Sequence, residues 1–173
     1  MPESDDVAGG QGELERNRAT QELLDLAWLT AGGAVKIDDL APIWATVELE
    51  RALLDLDQPL ERAASAVDDP LLGARVAVMD LADARGPDRL AVAEPNTEGR
   101  LARALAEHGE RTVGRYVAVA PSLAAAAGLA ATAGVSLSPP ATGPFGREVL
   151  VLGGPAGGPF TLLVEVPAVP STP

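Results

Sequence analysis

The feature that most constrains this chain is an order of predicted elements that occurs twice. Apolar runs separated by turn residues predict a strand, a helix and three further strands, and the same order then follows again. The two copies start 76 residues apart, at Ile37 and Val113. No residue-level identity between them is convincing, so the pattern repeats rather than the sequence. Two such halves, neither able to bury its sheet alone, are expected to pack around one concave surface.

Local signals mark where the elements begin and end. Thr46 is expected to cap the first helix, and Pro42 favours a position near a sheet edge because proline cannot donate to the ladder. Pro121 and Ser122 start the second helix, which Gly134 ends. The first copy comprises the strand Ile37 to Thr46, the helix Val47 to Leu56, the strands Ala74 to Asp80 and Arg89 to Glu94, and the helix Thr97 to Glu107. The stretch Leu60 to Val67 within it is not assigned to a helix or a strand. The second comprises the strand Val113 to Ala120, an Ala-rich helix, and the strands Val135 to Ser138, Arg147 to Leu152 and Phe160 to Val166.

These elements predict an α+β protein in which two βαβββ modules form a cupped, mixed eight-stranded sheet. An extra helix, Glu13 to Leu29, precedes them and ends at Gly32 and Gly33. The predicted boundaries are a disordered tail at residues 1–12, a helical extension at 13–34, the first module with a linker helix at 35–111, the second module at 112–167 and a C-terminal tail at 168–173.

Composition excludes several classes of protein. The formal net charge of -12 disfavours nucleic acid and anionic membranes as partners. The chain has no cysteine and one histidine, His108, so thiolate sites and sites that need two histidines from one chain are ruled out. No signal peptide or long apolar run is evident, which predicts a cytoplasmic protein.

Several motifs resemble those of methylmalonyl-CoA epimerases, members of the vicinal oxygen chelate superfamily. Glu94-Pro95-Asn96 resembles the end of a strand in that family, and the run from Leu101 to Glu110 resembles its helix with a closing Gly-Glu turn. The resemblance continues through four further segments: Tyr116-Val117-Ala118-Val119, the helix and its exit from Leu123 to Gly134-Val135, Gly143-Pro144-Phe145-Gly146, and Leu162-Leu163-Val164-Glu165. It covers roughly residues 37–167 and implies the paired-module fold and a homodimer.

The resemblance also implies a divalent metal held by one side chain from each of four strands. This chain departs from that pattern: Asp39, Ala91 and Tyr116 stand where the family has ligands, and only Glu165 matches. No cofactor is therefore expected, although a weak magnesium site made of Asp39, Glu165 and water stays open. If the alignment holds, Asp39, Tyr116 and Glu165 converge in the cup as catalytic residues, and Glu61 lies where the family has a second acidic residue.

Each candidate also has a structural interpretation. Glu165 could pair with Arg115 or Arg147, and Asp39 could be a turn residue at a strand end. Tyr116 could be a core aromatic whose hydroxyl is satisfied, and His108 is expected at a helix end, where an imidazolium favours the helix dipole.

Two functions follow from the resemblance and the remaining residues. The first is a metal-independent isomerase, cyclase or lyase of a bacterial pathway, which moves a proton beside a carbonyl or thioester by carboxylate acid/base chemistry. The second is a small-molecule (antibiotic) binding protein of the same fold, without catalysis. A third possibility is a non-catalytic subunit that docks through the N-terminal helix.

Overall fold

A computed structural model describes residues 26–30, 33–59, 61–81, 89–153 and 159–165. The helices in this part of the chain are α1 (Ala27–Thr30), α2 (Leu49–Asp55), α3 (Glu61–Ala64), α4 (Arg100–His108) and α5 (Leu123–Ala133). The strands are β1 (Lys36–Ala45), β2 (Val67–Asp69), β3 (Ala74–Asp80), β4 (Arg89–Pro95), β5 (Arg111–Ala120), β6 (Ser136–Leu137), β7 (Ala141–Gly143), β8 (Gly146–Leu152) and β9 (Phe160–Glu165).

One mixed sheet joins these strands in the order β2-β3-β4-β1-β5-β9-β8-β6, and β7 also pairs with β8. Each half begins with a strand that runs parallel to the last strand of the same half, β1 with β4 and β5 with β9. The two first strands, β1 and β5, pair antiparallel at the centre. The predicted pair of βαβββ modules is thus confirmed. Strands β2 and β7, from opposite sides of the sheet, contact each other because the sheet curls.

The two faces of the sheet bury different clusters. The concave face is lined by small and branched side chains of all the central strands, among them Ala41, Ile43, Ala91 and Leu162, and helix α4 adds Leu101 and Ala104 to the same cluster. The outer face is covered by helices: α2 packs over β3 and β4, while α1 and α5 pack over β5 and β9. Gly114 permits the close pairing of β5 with β9, because a side chain there would overlap the backbone of Phe160.

Several local predictions at helix ends are confirmed. Ser122 caps α5 by accepting a hydrogen bond from the backbone N–H of Ala125 at 3.2 Å, and Gly134 ends the helix in the left-handed conformation. His108 is the last residue of α4, as expected. The predicted strand Val135 to Ser138 is shorter than expected. It is followed by an additional short strand, β7, which pairs with β8 beside the eight strands of the main order.

Other local predictions are wrong. Strand β1 lies at the sheet centre, and Pro42 is tolerated there because β4 pairs only with Ile43 to Ala45. Thr46 does not cap α2, which begins after Glu48; its hydroxyl donates instead to Glu110 Oε1 at 2.7 Å. The stretch Leu60 to Val67, for which the sequence predicted no element, contains α3 and the start of β2.

The N-terminal extension is described only from Leu26, and Ala27–Thr30 is helical. The rest of the predicted extension, both predicted tails, the turn at residues 84–88 and most of the loop at 153–158 lie outside the described residues. Within the described part of the chain, no helix is long and apolar enough to cross a membrane.

Candidate functional site in the concave face

A buried hydrogen bond joins the central strand β5 to the edge strand β2 across the concave face. The hydroxyl of Tyr116 donates to Asp69 Oδ2 at 2.5 Å, and both residues are almost fully buried. Asp69 Oδ1 accepts from the backbone N–H groups of Leu71 at 2.9 Å and Leu72 at 3.0 Å. The Asp69 carboxyl group is therefore held in place by three donors at the point where the curled sheet closes.

A second carboxyl group, Glu148 on β8, is buried beside this hydrogen bond. Its partner in the sheet is Val164, a member of the concave cluster, so its side chain also faces inward. As a carboxylate, Glu148 has no hydrogen-bond partner for either oxygen among the described residues. A proton on Glu148 would let it donate to Asp69, which lies within hydrogen-bonding reach.

The environment of Glu148 favours this protonated form. Burial raises the pKa of Glu148 to about 9, and the negative charge and hydrogen bond of Asp69 contribute to the rise. Burial, with the charge of Asp69 next in size, also raises the pKa of Tyr116 well above its ordinary value. Near neutral pH, Glu148 is therefore a neutral carboxyl group and Tyr116 a neutral phenol, and both lie beside Asp69.

The turn between β7 and β8 packs directly against this site. The ring of Phe145 lies 4.9 Å from the ring of Tyr116, centroid to centroid, with the planes tilted by 58°. Gly143 lies against Glu148 so closely that a side chain there would overlap the carboxyl group. The glycine therefore gives Glu148 the space that it occupies in the interior.

The predicted convergence of Asp39, Tyr116 and Glu165 does not occur. Asp39 pairs with Val117 and Ala41 pairs with Tyr116, so one additional residue, Leu40, forms an irregularity in β1. An extra residue of this kind moves the preceding side chains to the other face of the sheet. Asp39 therefore lies on the outer face, in a cavity of about 230 Å³ that Leu26 and Arg115 also line.

The outer face gives Asp39 a different environment from that of the buried pair. Its carboxylate lies 3.8 Å from Arg115 Nη1 and its side chain is 59% exposed. Partial burial raises the pKa of Asp39, and the charge of Arg115 opposes this rise. The structure brings Asp39 close to Arg115 rather than to Tyr116.

Glu165 and Glu61 also lie away from Tyr116. Glu165 pairs with Val119, which belongs to the outer cluster, and its carboxylate lies 3.8 Å from Arg147 Nη1, an ion pair that the sequence had suggested as its alternative role. Glu61 is the exposed first residue of α3. The catalytic roles predicted for these residues stay predictions, but they do not form one site.

Comparison with known proteins identifies the fold. No protein-family model matches the chain, and no curated protein matches its sequence. A methylmalonyl-CoA epimerase variant from Streptomyces coelicolor is similar in structure, with a TM-score of 0.57, 21% identity, and coverage of 80% of this chain and 100% of the other. The epimerase from Mycobacterium tuberculosis has a TM-score of 0.57 and 19% identity over 76% and 89% of the two chains. A hypothetical protein from Bacillus halodurans has a TM-score of 0.56 and 16% identity over 79% and 99%.

This chain has the vicinal oxygen chelate fold. The paired modules around one concave face account for the likeness, and at these identities the likeness establishes the fold alone.

The concave face does not fit the divalent metal that the vicinal oxygen chelate fold implies. On the four central strands, Ala41, Ala91, Tyr116 and Leu162 face the interior, and three of these side chains have no donor atom. Asp69 already accepts three hydrogen bonds. No group of three or more histidine, aspartate or glutamate side chains suited to a metal occurs among the described residues.

Sequence reasoning missed Asp69 and Glu148. Glu148 could have been found from the alternation within β8, where Glu148, Leu150 and Leu152 share one face of a strand that is apolar on both sides. Asp69 gave no such signal, because it ends a three-residue strand and lies between Val67 and Ala74, where the sequence predicted no element. Its role depends on the curling of the sheet, which local sequence does not encode.

Proposed function

We propose that this protein is an isomerase, cyclase or lyase that acts on a small carbonyl or acyl-thioester compound by carboxyl acid/base chemistry, without a metal. The observation that carries this proposal is the buried pair of Asp69 and Glu148 in the concave face. Two carboxyl groups in one apolar site are driven to different protonation states, which supplies an acid and a base at the same pH.

The pair suits proton transfer beside a carbonyl. Neutral Glu148 would donate a hydrogen bond, and then its proton, to the carbonyl oxygen as negative charge develops there. Asp69 would accept the proton from the neighbouring carbon, which leaves a neutral enol. Return of both protons gives the isomer and restores the site. Tyr116 would act as a positioning residue, because its hydroxyl is directed at Asp69 rather than into open space.

The structural neighbours support the substrate class. One neighbour is a methylmalonyl-CoA epimerase in complex with methylmalonyl-CoA and NH4+, and the Streptomyces coelicolor variant contains 2-nitronate-propionyl-CoA. Both ligands are acyl-CoA compounds, and the nitronate is the anion that forms when the carbon next to the carbonyl loses its proton. A thioester is therefore the first substrate class to test, with simple ketones as the second.

The test is hydrogen exchange in heavy water. The protein is incubated with a set of acyl thioesters and ketones, and deuterium incorporation beside the carbonyl is read by mass spectrometry. We expect incorporation with the unmodified protein and a loss of at least about 100-fold in Glu148→Gln, the lower range for general acid/base catalysis. The matched control is Glu165→Gln on the outer face, which should retain exchange. Exchange that persists in Glu148→Gln would contradict the mechanism.

The alternative is a binding protein that leaves its ligand unchanged. The observation that favours it is the apolar lining of the concave face: among the described residues, the polar side chains buried near its centre are Tyr116, Asp69 and Glu148. A ligand that binds tightly but shows no exchange in any member of the set would establish this alternative.

Native mass spectrometry without chelator tests two further parts of the proposal. We expect a metal-free subunit and the mass of a homodimer. One metal ion per subunit would show that a ligand set beyond the buried carboxyl pair holds a metal and would remove the metal-independent mechanism.

A further inference from the structure

The charges on the concave face are unevenly distributed. Asp69 and Glu148 meet near its centre, whereas most arginines of the neighbouring strands lie on the outer face or are engaged there. Arg75 contacts Glu50 and Glu94 at 2.6 to 2.9 Å, and Arg147 is 63% exposed and faces Glu165.

Two described cations share the concave side. Arg89 alternates with Ala91 and Ala93 of the concave cluster at the start of β4, where its side chain is 48% exposed and its Nε lies 3.1 Å from Asp80 Oδ1. Arg111 pairs with Ala45, a member of the concave cluster. It lies five residues before Tyr116 on β5, about 16 Å away along an extended strand. Arg111 is thus displaced along β5 from Tyr116, which contacts the buried carboxyl pair.

A substrate that carries a carboxylate next to its reacting carbonyl would therefore meet an unfavourable site. Its charge would lie beside the carboxylate of Asp69 in an apolar interior, where like charges repel strongly because little water screens them. A divalent metal, as the vicinal oxygen chelate fold implies, would offset the negative charge of such a substrate. The residues of this concave face do not fit one. Glu148 as a neutral acid offers one hydrogen-bond donor, which suits an uncharged carbonyl oxygen.

We infer that the concave face selects an uncharged acyl or ketone group, whose carbonyl accepts a hydrogen bond from Glu148, and rejects acyl groups with a free carboxylate. The inference rests on the proposed function for the location of the site. It separates this chain's substrate class from methylmalonyl thioesters, which carry such a carboxylate.

The chain supplies its own reporter for this inference. Tyr116 is the single tyrosine, so 3-fluorotyrosine labelling gives one fluorine signal, located in the concave face. Titration of the labelled protein compares two matched ligands, propionyl-CoA and methylmalonyl-CoA, which differ by one carboxylate. The same pair as N-acetylcysteamine thioesters removes the contribution of the CoA carrier.

We expect both propionyl thioesters to shift the Tyr116 signal, with dissociation constants at least about tenfold below those of their methylmalonyl partners, a ratio that equals about 1.4 kcal/mol. Asp69→Asn removes the fixed negative charge and should narrow the ratio, whereas Asp39→Asn on the outer face should leave it unchanged. Equal or tighter binding of the methylmalonyl thioesters would overturn the inference, as would the lack of any shift with all four ligands.

Failure of the inference and failure of the proposed function give different results. If propionyl thioesters bind more tightly and shift the signal but show no deuterium exchange, the selectivity for uncharged acyl groups is supported and the proposed enzymatic function is contradicted. If methylmalonyl thioesters undergo exchange and bind as tightly as propionyl thioesters, the enzymatic function is supported and the selectivity is contradicted.

Discussion

The two faces of the sheet hold the same kind of side chain in opposite circumstances. On the concave face, Glu148 is fully buried beside Asp69. On the outer face, the side chains of Asp39 and Glu165 are 59% and 29% exposed and lie near arginines. Burial next to a second carboxyl group raises the pKa of Glu148 to about 9, whereas Arg115 opposes the rise in pKa that partial burial causes at Asp39. The face that a strand residue occupies therefore matters more to its chemistry than its residue type.

The largest expected effect follows from replacement of Asp69 by alanine. The change leaves the Tyr116 hydroxyl and the N–H groups of Leu71 and Leu72 without their acceptor, and each buried unsatisfied donor costs about 1 to 3 kcal/mol. We expect the free energy of unfolding to fall by about 3 to 5 kcal/mol, measured by urea denaturation. Asp39→Ala on the outer face should change it by less than about 1 kcal/mol. An equal fall in the free energy of unfolding in the two variants would contradict the proposed difference between the two faces.

A smaller effect is expected where β7 presses on Glu148. In Gly143→Ala, the new methyl group overlaps the Glu148 carboxyl group, so the free energy of unfolding should fall by about 1 to 3 kcal/mol. Gly128→Ala in α5 is the matched control. Among the described residues nothing lies within 4 Å of a methyl group there, and alanine should stabilise that helix by about 0.5 to 1 kcal/mol.

A double variant shows whether the overlap is the cause. In a Glu148→Ala background, the carboxyl group is gone and Gly143→Ala should cost much less than it does alone. An undiminished cost would mean that the β7 backbone, rather than Glu148, excludes a side chain at position 143.

The pH dependence of stability gives a third test. The pKa of Glu148 rises on folding from its ordinary value of 4.5 to about 9, so between these values the folded protein binds a proton that the unfolded chain lacks. Its contribution to stability is complete below about pH 4.5 and is lost progressively as the pH rises through about 9. The slope is at most about 1.4 kcal/mol per pH unit for one proton.

Glu148→Gln removes this titration while it keeps the shape of the side chain. The melting temperature of Glu148→Gln, relative to that of the unmodified protein, should therefore increase as the pH rises from 5 to 9. Glu165→Gln on the outer face should show no such trend. Parallel curves for Glu148→Gln and the unmodified protein would mean that Glu148 is ionised in the folded state.

The sequence predicted the architecture better than the site, and Asp39 shows why. The order of elements and the helix signals at Ser122 and Gly134 are local, and the structure confirms them. The face on which Asp39 lies depends on one additional residue in β1, which neither periodicity nor family likeness indicates. The meeting of Asp69 with Tyr116 depends on the curvature of the whole sheet, because their strands are not neighbours.

The smallest expected signal comes from the ionisation of Tyr116. Burial and the charge of Asp69 raise the pKa of this phenol well above its ordinary value of 10.0, so its tyrosinate absorbance should not appear at that pH in the folded protein. Tyr116 is the single tyrosine, so the absorbance change on alkaline titration has one source, and Tyr116→Phe provides the blank. In the chain unfolded by urea, the Tyr116 phenol should titrate with a pKa of about 10. Glu148→Gln removes one of the negative charges that raise this pKa and should shift the folded titration slightly downward, whereas Glu165→Gln should not. If Tyr116 of the folded protein titrates at the ordinary value of 10.0, its hydroxyl is exposed to water, and the buried site described above is contradicted.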